Sequence, residues 1–263
     1  MSAGPALLEA QGILRRFGGL TAVDGVDLAL RGGTVHGLIG PNGAGKTTCL
    51  NLIAGAMPVH AGRFLLDGAD ITRLPDHARA RLGIRRTFQN LKLFPEMTAL
   101  GNAAIGLHAT TRAGIFPALL RTPAQRREER AIRDQAMAAL EFVGLGAMAG
   151  TRAGTLAYGH RRLLEIARAI APLPRVVLLD EPAAGLNETE AAALVGLIAR
   201  IRDRGSAVIL VEHHMDVVMS VCDEVTVLNY GRRLATGTPE AIQADEQVIE
   251  AYLGRGEELA LAC

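Results

Sequence analysis

Gly40-Pro41-Asn42-Gly43-Ala44-Gly45-Lys46-Thr47 decides how this chain folds and what it holds. The stretch fits G-x-x-x-x-G-K-[ST], the pattern of a phosphate-cradling loop. Its context agrees, with the β-type run Val35 to Ile39 before it and apolar residues of helical character after it. Three glycines let the backbone turn tightly, so that successive N–H groups point inward at phosphate oxygens. A helix starting near Lys46 adds the positive end of its dipole. Lys46 is placed to reach the β- and γ-phosphates of a nucleoside triphosphate, and the Thr47 hydroxyl to ligate Mg²⁺. Gly40, Pro41, Asn42, Gly43, Ala44, Gly45, Lys46, Thr47 and Thr48 form the expected nucleotide-binding set.

A second element lies far downstream, in Val176-Val177-Leu178-Leu179-Asp180-Glu181. An apolar strand ending in two acids delivers carboxylates to the C-terminal edge of a sheet, where open α/β proteins bind ligands. Asp180 is expected to hold Mg²⁺, directly or through water. Glu181 is the candidate general base for an attacking water. Acid-ended strands are common, so this signal gains its meaning from the phosphate loop.

Outward from these two motifs, the chain shows three zones. From about Leu7 to Phe94, short β-rich segments such as Arg63 to Leu66 are punctuated by Gly. From about Pro95 to Ala153 the character is helical, with apolar residues at Ala136, Ala139, Leu140 and Val143 and a stop at Gly144. The charged run Arg126 to Arg130 reads as a solvated helix face. From about Leu156, strand and helix alternate again. Ala207 to Val211 is a buried-strand run, and Leu194, Leu197, Ile198 and Ile201 mark an amphipathic helix with Asn187 as N-cap and Glu190 three residues on. The expected fold class is therefore α/β, with a mostly parallel sheet on both sides of a helical insert. Thr238-Pro239-Glu240 starts a C-terminal helix that ends near Gly254, followed by a loose tail.

Composition excludes several classes. The chain has 263 residues, 49% hydrophobic and 21% charged, which suits a folded protein of one large or two small domains. A net charge of +1 gives no electrostatic case for nucleic acid, and 3% aromatics with no Trp argue against a base-stacking platform. Cys49, Cys222 and Cys263 are scattered and odd in number, as reduced thiols are. No signal peptide is visible, and no apolar stretch approaches the ~20 residues that span a bilayer. Work at a membrane would go through a partner.

Between the two motifs, Leu156-Ala157-Tyr158-Gly159-His160 resembles the L-S-G-G-Q signature of the ATP-binding cassette ATPases, with Leu156 and Gly159 matching. The resemblance covers nearly the whole chain. It implies the P-loop NTPase core with an antiparallel β subdomain and an inserted helical subdomain, divided as 7–94 with 156–237 and 95–155, all within a single ATPase domain. It implies ATP and Mg²⁺, and a second ATPase subunit, identical or different. The signature of one cassette then closes over ATP held by the loop of the other. It places Phe17 on adenine, Gln89 at Mg²⁺ or water, Ala184-Gly185-Leu186-Asn187 across the dimer interface, and His213 on the γ-phosphate.

Three departures stand out: Ala157 for the signature Ser, Tyr158 and His160 for Gly and Gln, and Asn187 for the interface Asp. The loss of one hydroxyl raises the expectation that the two ATP sites of the assembly are unequal. Yet Ala-Tyr and Asn also occur in the subfamily that several stretches resemble, the ATPases of branched-chain amino acid importers. These stretches include Phe17-Gly-Gly-Leu-Thr-Ala-Val23, Arg86-Thr-Phe-Gln-Asn90, Asp180-Glu-Pro-Ala-Ala-Gly-Leu-Asn187 and Val248-Ile-Glu-Ala-Tyr-Leu-Gly254. The resemblance implies two transmembrane permease subunits, a solute-binding protein, and a place on the cytoplasmic face of the inner membrane, with no nucleic-acid partner. Alternatives are cassettes for urea or aromatic acids, the lipopolysaccharide-export ATPases, and non-transport cassettes. The last usually carry coiled coils or a second cassette, which this chain lacks.

Overall fold

The computed structural model describes residues 6–87, 92–107 and 123–253. The chain divides into two compact units, residues 1–86 with 175–263 and residues 87–174. The first unit opens with strands β1 (Leu8–Phe17), β2 (Leu20–Leu30) and β3 (Val35–Ile39). Helix α1 (Lys46–Ala54), strands β4 (Ala61–Leu66) and β5 (Ala69–Asp70), helix α2 (Asp76–Arg81) and strand β6 (Ile84–Arg86) follow. The second unit supplies helices α3 (Ala99–Ile105), α4 (Pro123–Phe142) and α5 (Tyr158–Ile170). The chain returns to the first unit with β7 (Val176–Asp180), α6 (Glu188–Asp203), β8 (Ala207–Val211) and α7 (Met215–Val221). It ends in β9 (Glu224–Asn229), β10 (Arg232–Gly237), α8 (Pro239–Gln243) and α9 (Glu246–Leu253).

The first unit holds two sheets. One is antiparallel in the order β2-β1-β4-β5. The other runs β10-β9-β3-β8-β7-β6, parallel from β9 to β6, with β10 antiparallel at one edge. Strands β3, β7 and β8 are buried at every residue. A parallel strand covered on both faces needs an unbroken apolar run, which Val176–Leu179 and Ala207–Val211 provide. Strand β3 carries two exceptions. His36 is tolerated because its Nε2 lies 2.9 Å from the Thr226 hydroxyl and its Nδ1 3.3 Å from Glu224. At Gly37 an added Cβ would sit 3.0 Å from the Cys222 sulfur and 3.2 Å from Val225 Cγ2, so any side chain there would push its neighbours aside.

One hydrophobic cluster joins Ile13 and Val26 of the first sheet, Leu50 and Ile53 of α1, and Leu38, Leu178 and Ile209 of the second. Helix α1 is thus packed against both. Arg79 of α2 is only 2% exposed and ends against α1. Its Nη1 donates to the Leu52 and Ile53 carbonyls at 2.8 and 2.7 Å, at the C-terminal end of α1 where cations are favoured. Its guanidinium also lies 4.8 Å from the centre of the Phe64 ring, and burial lowers its pKa to about 10. Cys49 and Cys222 are buried free thiols, pushed up to about 12 by burial. Cys263 lies outside the described residues.

Helix α6 buries Leu194, Leu197, Ile198 and Ile201 and starts with a complete capping box. Glu190 N donates to Asn187 Oδ1 at 2.9 Å, and Asn187 N donates to Glu190 Oε2 at 3.0 Å. The single C-terminal helix expected from the sequence is two. Thr238 caps α8 as its pattern predicts, but Asp245 starts a new helix by accepting from Gln247 N and Val248 N at 2.9 and 3.2 Å.

In the second unit, Ala136, Ala139, Leu140 and Val143 are buried, and Gly144 ends α4 with a φ of 84°. Helix α5 begins inside the motif Leu156–His160, at Tyr158. It packs on α3 and α4, so residues 156–174 fall with the helical unit and not with the sheet. The reason is its stripe of buried Leu164, Ala167 and Ile170. Asn102, with no exposure, ties the turn before α3: it accepts from Phe94 N at 2.8 Å and donates to the Phe94 carbonyl at 3.0 Å.

Candidate nucleotide-binding site

Parallel pairing brings the ends of four strands to one edge. Leu38 of β3 and Asp180 of β7 both stand opposite Val211 of β8, and Leu178 stands opposite Arg86 of β6. The loop Gly40–Gly45, the pair Glu212–His213, the pair Asp180–Glu181 and Arg86 therefore lie side by side at the C-terminal edge, the ligand edge of open α/β sheets.

The loop is a fold of glycines. Gly40, Gly43 and Gly45 have φ of 144°, 81° and 102°. A Cβ on Gly40 would lie 2.1 Å from the Leu228 carbonyl oxygen, and one on Gly45 2.3 Å from that of Ala22. Both clashes are with backbone, so no other residue fits. Lys46 is 7% exposed and curls back over the loop, its Nζ donating to the Gly40 and Pro41 carbonyls at 2.5 and 3.1 Å. Helix α1 begins on Gly45 with no side-chain cap and no acid in its first turn. The positive end of its dipole there favours an anion.

Asp180 has no exposure, and its Oδ2 forms an ion pair with Arg86 Nη2 at 2.8 Å. The Arg86 Nη1 also donates to Asn51 Oδ1, which links β7, β6 and the loop helix. Burial raises the Asp180 carboxyl pKa, against the hydrogen bond and charge of Arg86; Glu181 raises it further and Lys46 opposes. Glu181 turns out of the sheet at a φ of 48°, the left-handed region that side chains rarely adopt. Its N–H donates to the Val211 carbonyl at 2.9 Å, and its carbonyl accepts from Ala184 N at 3.2 Å. Such a conformation costs about 1–3 kcal/mol and persists where the surroundings over-determine it, often at functional sites.

Glu212 is fully buried. Its Oε1 accepts from Ala183 N at 2.7 Å and its Oε2 from His213 N at 3.2 Å. Burial raises its pKa; the Ala183 N–H and the two histidines that follow it lower it. His213 is exposed, and its ring stacks at 4.3 Å between centroids on that of His214, tilted by 36°. Phe17, at the end of β1, is 44% exposed, with the Arg15 guanidinium 4.9 Å from its ring centre. Gln89 lies outside the described residues.

The residues Leu156, Ala157, Tyr158, Gly159 and His160 belong to the second unit. Leu156 is buried and Tyr158 is 39% exposed. Ala157 takes the N-cap position of α5, which has no side-chain cap and no acid in its first turn. The Tyr158 hydroxyl accepts from Arg162 Nη2 at 3.0 Å, and the Arg161 guanidinium lies 5.8 Å from its ring centre. Sequence reasoning did not assign Asn51, Arg86 or Glu212. The only trace of the Arg86 pairing was a basic residue ending one strand and an acid ending another.

Comparison with known proteins agrees with this geometry. The family model described as "ABC transporter" matches residues 23–184, and one described as "Branched-chain amino acid ATP-binding cassette transporter" matches residues 232–258. The chain is 48% identical to the high-affinity branched-chain amino acid transport ATP-binding protein BraF of Pseudomonas aeruginosa, over 94% of this chain and 98% of that one. It is 45% identical to LivG of Salmonella typhimurium, a protein of the same description, with the same coverage. Among solved structures, the ADP conformation of MJ1267, an ATP-binding cassette of an ABC transporter, matches with a TM-score of 0.83 at 29% identity, over 95% of this chain and 100% of that one. With its glycine loop, buried Lys46 and acid-ended strand at one sheet edge, the chain belongs to the ABC transporter family, as one of its ATP-binding, ATP-hydrolysing subunits.

Proposed function

We propose that this chain drives an importer of branched-chain amino acids or a closely related small solute. The similarity to BraF over nearly the full length carries the substrate class. The edge that gathers Lys46, Asp180, Glu181 and His213 carries the chemistry. ATP lies on the loop Gly40–Thr48, with Phe17 against its base. Lys46 meets the terminal phosphates. Glu181 takes a proton from the attacking water, and His213 and Lys46 hold the charge that grows on the phosphoryl oxygens. The hard oxygen donors of Thr47 and Asp180 suit Mg²⁺, which supplies charge neutralisation when bound; Gln89 completes that set in this reading.

The working assembly in this proposal has two ATPase subunits, two permease subunits and a solute-binding protein. It places this chain at the cytoplasmic face of the membrane. Among the described residues no helix is long and apolar enough to cross a membrane, which fits attachment through a partner. The N-terminus of α5, uncapped and free of acids, is the part that closes on the ATP of the other subunit. Closure can shift the permease only by the difference in ATP affinity between open and closed states.

Reconstitution with the neighbouring permease and binding-protein subunits tests the reading. ATP turnover should rise with leucine, isoleucine or valine and not with unrelated solutes. Glu181→Gln should bind ATP as the wild type does and lose about 100-fold or more in turnover. Wild-type turnover in that variant excludes Glu181 as the base.

A further inference from the structure

We infer that Glu212 is a positioning residue of the hydrolysis site, a brace that ties the turn after Glu181 to the segment carrying His213. The inference rests on the site described above and adds a residue to it. Residues 181–184 form the turn by which the chain leaves β7. That turn is held at two points by consecutive residues of the β8 end. The Glu181 N–H donates to the Val211 carbonyl at 2.9 Å, and the Ala183 N–H donates to Glu212 Oε1 at 2.7 Å. The second oxygen of the same carboxylate accepts from His213 N at 3.2 Å. One side chain thus fixes the backbone of both segments that carry the proposed base and the proposed phosphate contact.

The strain at Glu181 gives the brace its purpose. A glutamate at a φ of 48° relaxes unless its neighbours hold it. A fully buried carboxylate is costly to place and is kept only when its oxygens are satisfied. Here both are, by the N–H groups of Ala183 and His213. A glutamine has one acceptor oxygen and cannot replace both bonds. A metal-binding reading of the same cluster fits less well. Ligand atoms of Glu212, His213 and His214 lie within 4.8 Å of one another. However, the carboxylate is already engaged at both oxygens and sealed from solvent, whereas both imidazoles face outward.

Glu212→Gln in the full-length chain tests the brace. Turnover should fall by about 10- to 100-fold, the scale of a misplacement near 1 Å, with ATP affinity and KM within about 2-fold of wild type. A brace that acts partly through His213 also predicts non-additivity: in Glu212→Gln with His213→Ala, the loss should be smaller than the product of the two single losses. A merely structural glutamate would lower thermal stability and ATP affinity together and multiply with His213→Ala. Wild-type kcat, a matching loss of affinity, or multiplying losses overturn the inference. If Glu212→Gln does not fold, Glu212→Asp, which keeps the charge but is one methylene short, is measured against the same outcomes. Glu181→Gln separates the two ideas. Full turnover there breaks the assignment of the base, whereas an inactive Glu181→Gln beside a fully active Glu212→Gln breaks the brace alone.

Discussion

Helix α1, which follows the glycine loop, and helix α5, which begins inside Leu156–His160, share an omission. Neither has a side-chain cap or an acid in its first turn. Helix α6, which follows the turn after Glu181, has Asn187 and Glu190 in a capping box and Glu188 beside them. A missing cap costs about 1 kcal/mol, so two bare ends at two motifs are a sacrifice of stability, which the proposed function explains by an anion meeting each helix dipole. The two bare ends then differ. Around α1 the partners are already in place: Lys46 is buried against the loop carbonyls, and Asp180 is sealed against Arg86. Around α5 the surface is open, with Tyr158 exposed and braced by Arg162. The difference fits the proposed function, in which one end belongs to a site made within the chain and the other is half of a site shared with a second subunit.

Three substitutions break or sharpen that contrast. Lys46→Ala has the largest expected effect. It removes charge-assisted contacts worth about 3 kcal/mol, so the Kd for ATP should rise roughly 100-fold by equilibrium binding; unchanged affinity would break the loop assignment. Ala157→Asp should act in two directions. The new side chain caps α5 and meets its dipole, raising stability by about 1 kcal/mol and Tm by about 2–4 °C. It also sets a negative charge where the other subunit's γ-phosphate is proposed to sit, so turnover should fall while ATP affinity of the isolated chain stays the same. A rise in Tm with full turnover would remove α5 from the composite site. The smallest effect belongs to the capped helix α6. Asn187→Ala should lower stability by about 1 kcal/mol in thermal unfolding and leave ATP affinity untouched; an unchanged Tm would mean the capping box adds nothing.

Much of this contrast was legible before the fold. Strands β3, β7 and β8 have the bounds their apolar runs suggest, and the four buried positions of α6 are those its spacing marks. Each is a local rule: an unbroken apolar run for a doubly covered strand, a 3.6-residue stripe for a helix with one covered face. Apart from the break at Asp245, a local cap, the misses are places where distant partners decide. The break at Asp245 depends on a side chain turning back to its own helix start, and the membership of α5 depends on what α3 and α4 offer it. Asn51, Arg86 and Asp180 stand far apart along the chain and meet through the pairing of β6 with β7 and the packing of α1 against them.

By itself the sequence determined the family, the phosphate loop with Lys46, the acids Asp180 and Glu181, and the strands that present them. Those features are written in short spacings, where residue type and backbone geometry act within a few positions of each other. Only the tertiary structure decided that Arg86 neutralises Asp180, that Arg79 closes the far end of α1, that Glu181 is held in a left-handed turn, and that Glu212 bridges two segments across β7 and β8. Buried charges are tolerated only where partners surround them, and a chain folded into parallel sheets draws those partners from segments far apart in sequence.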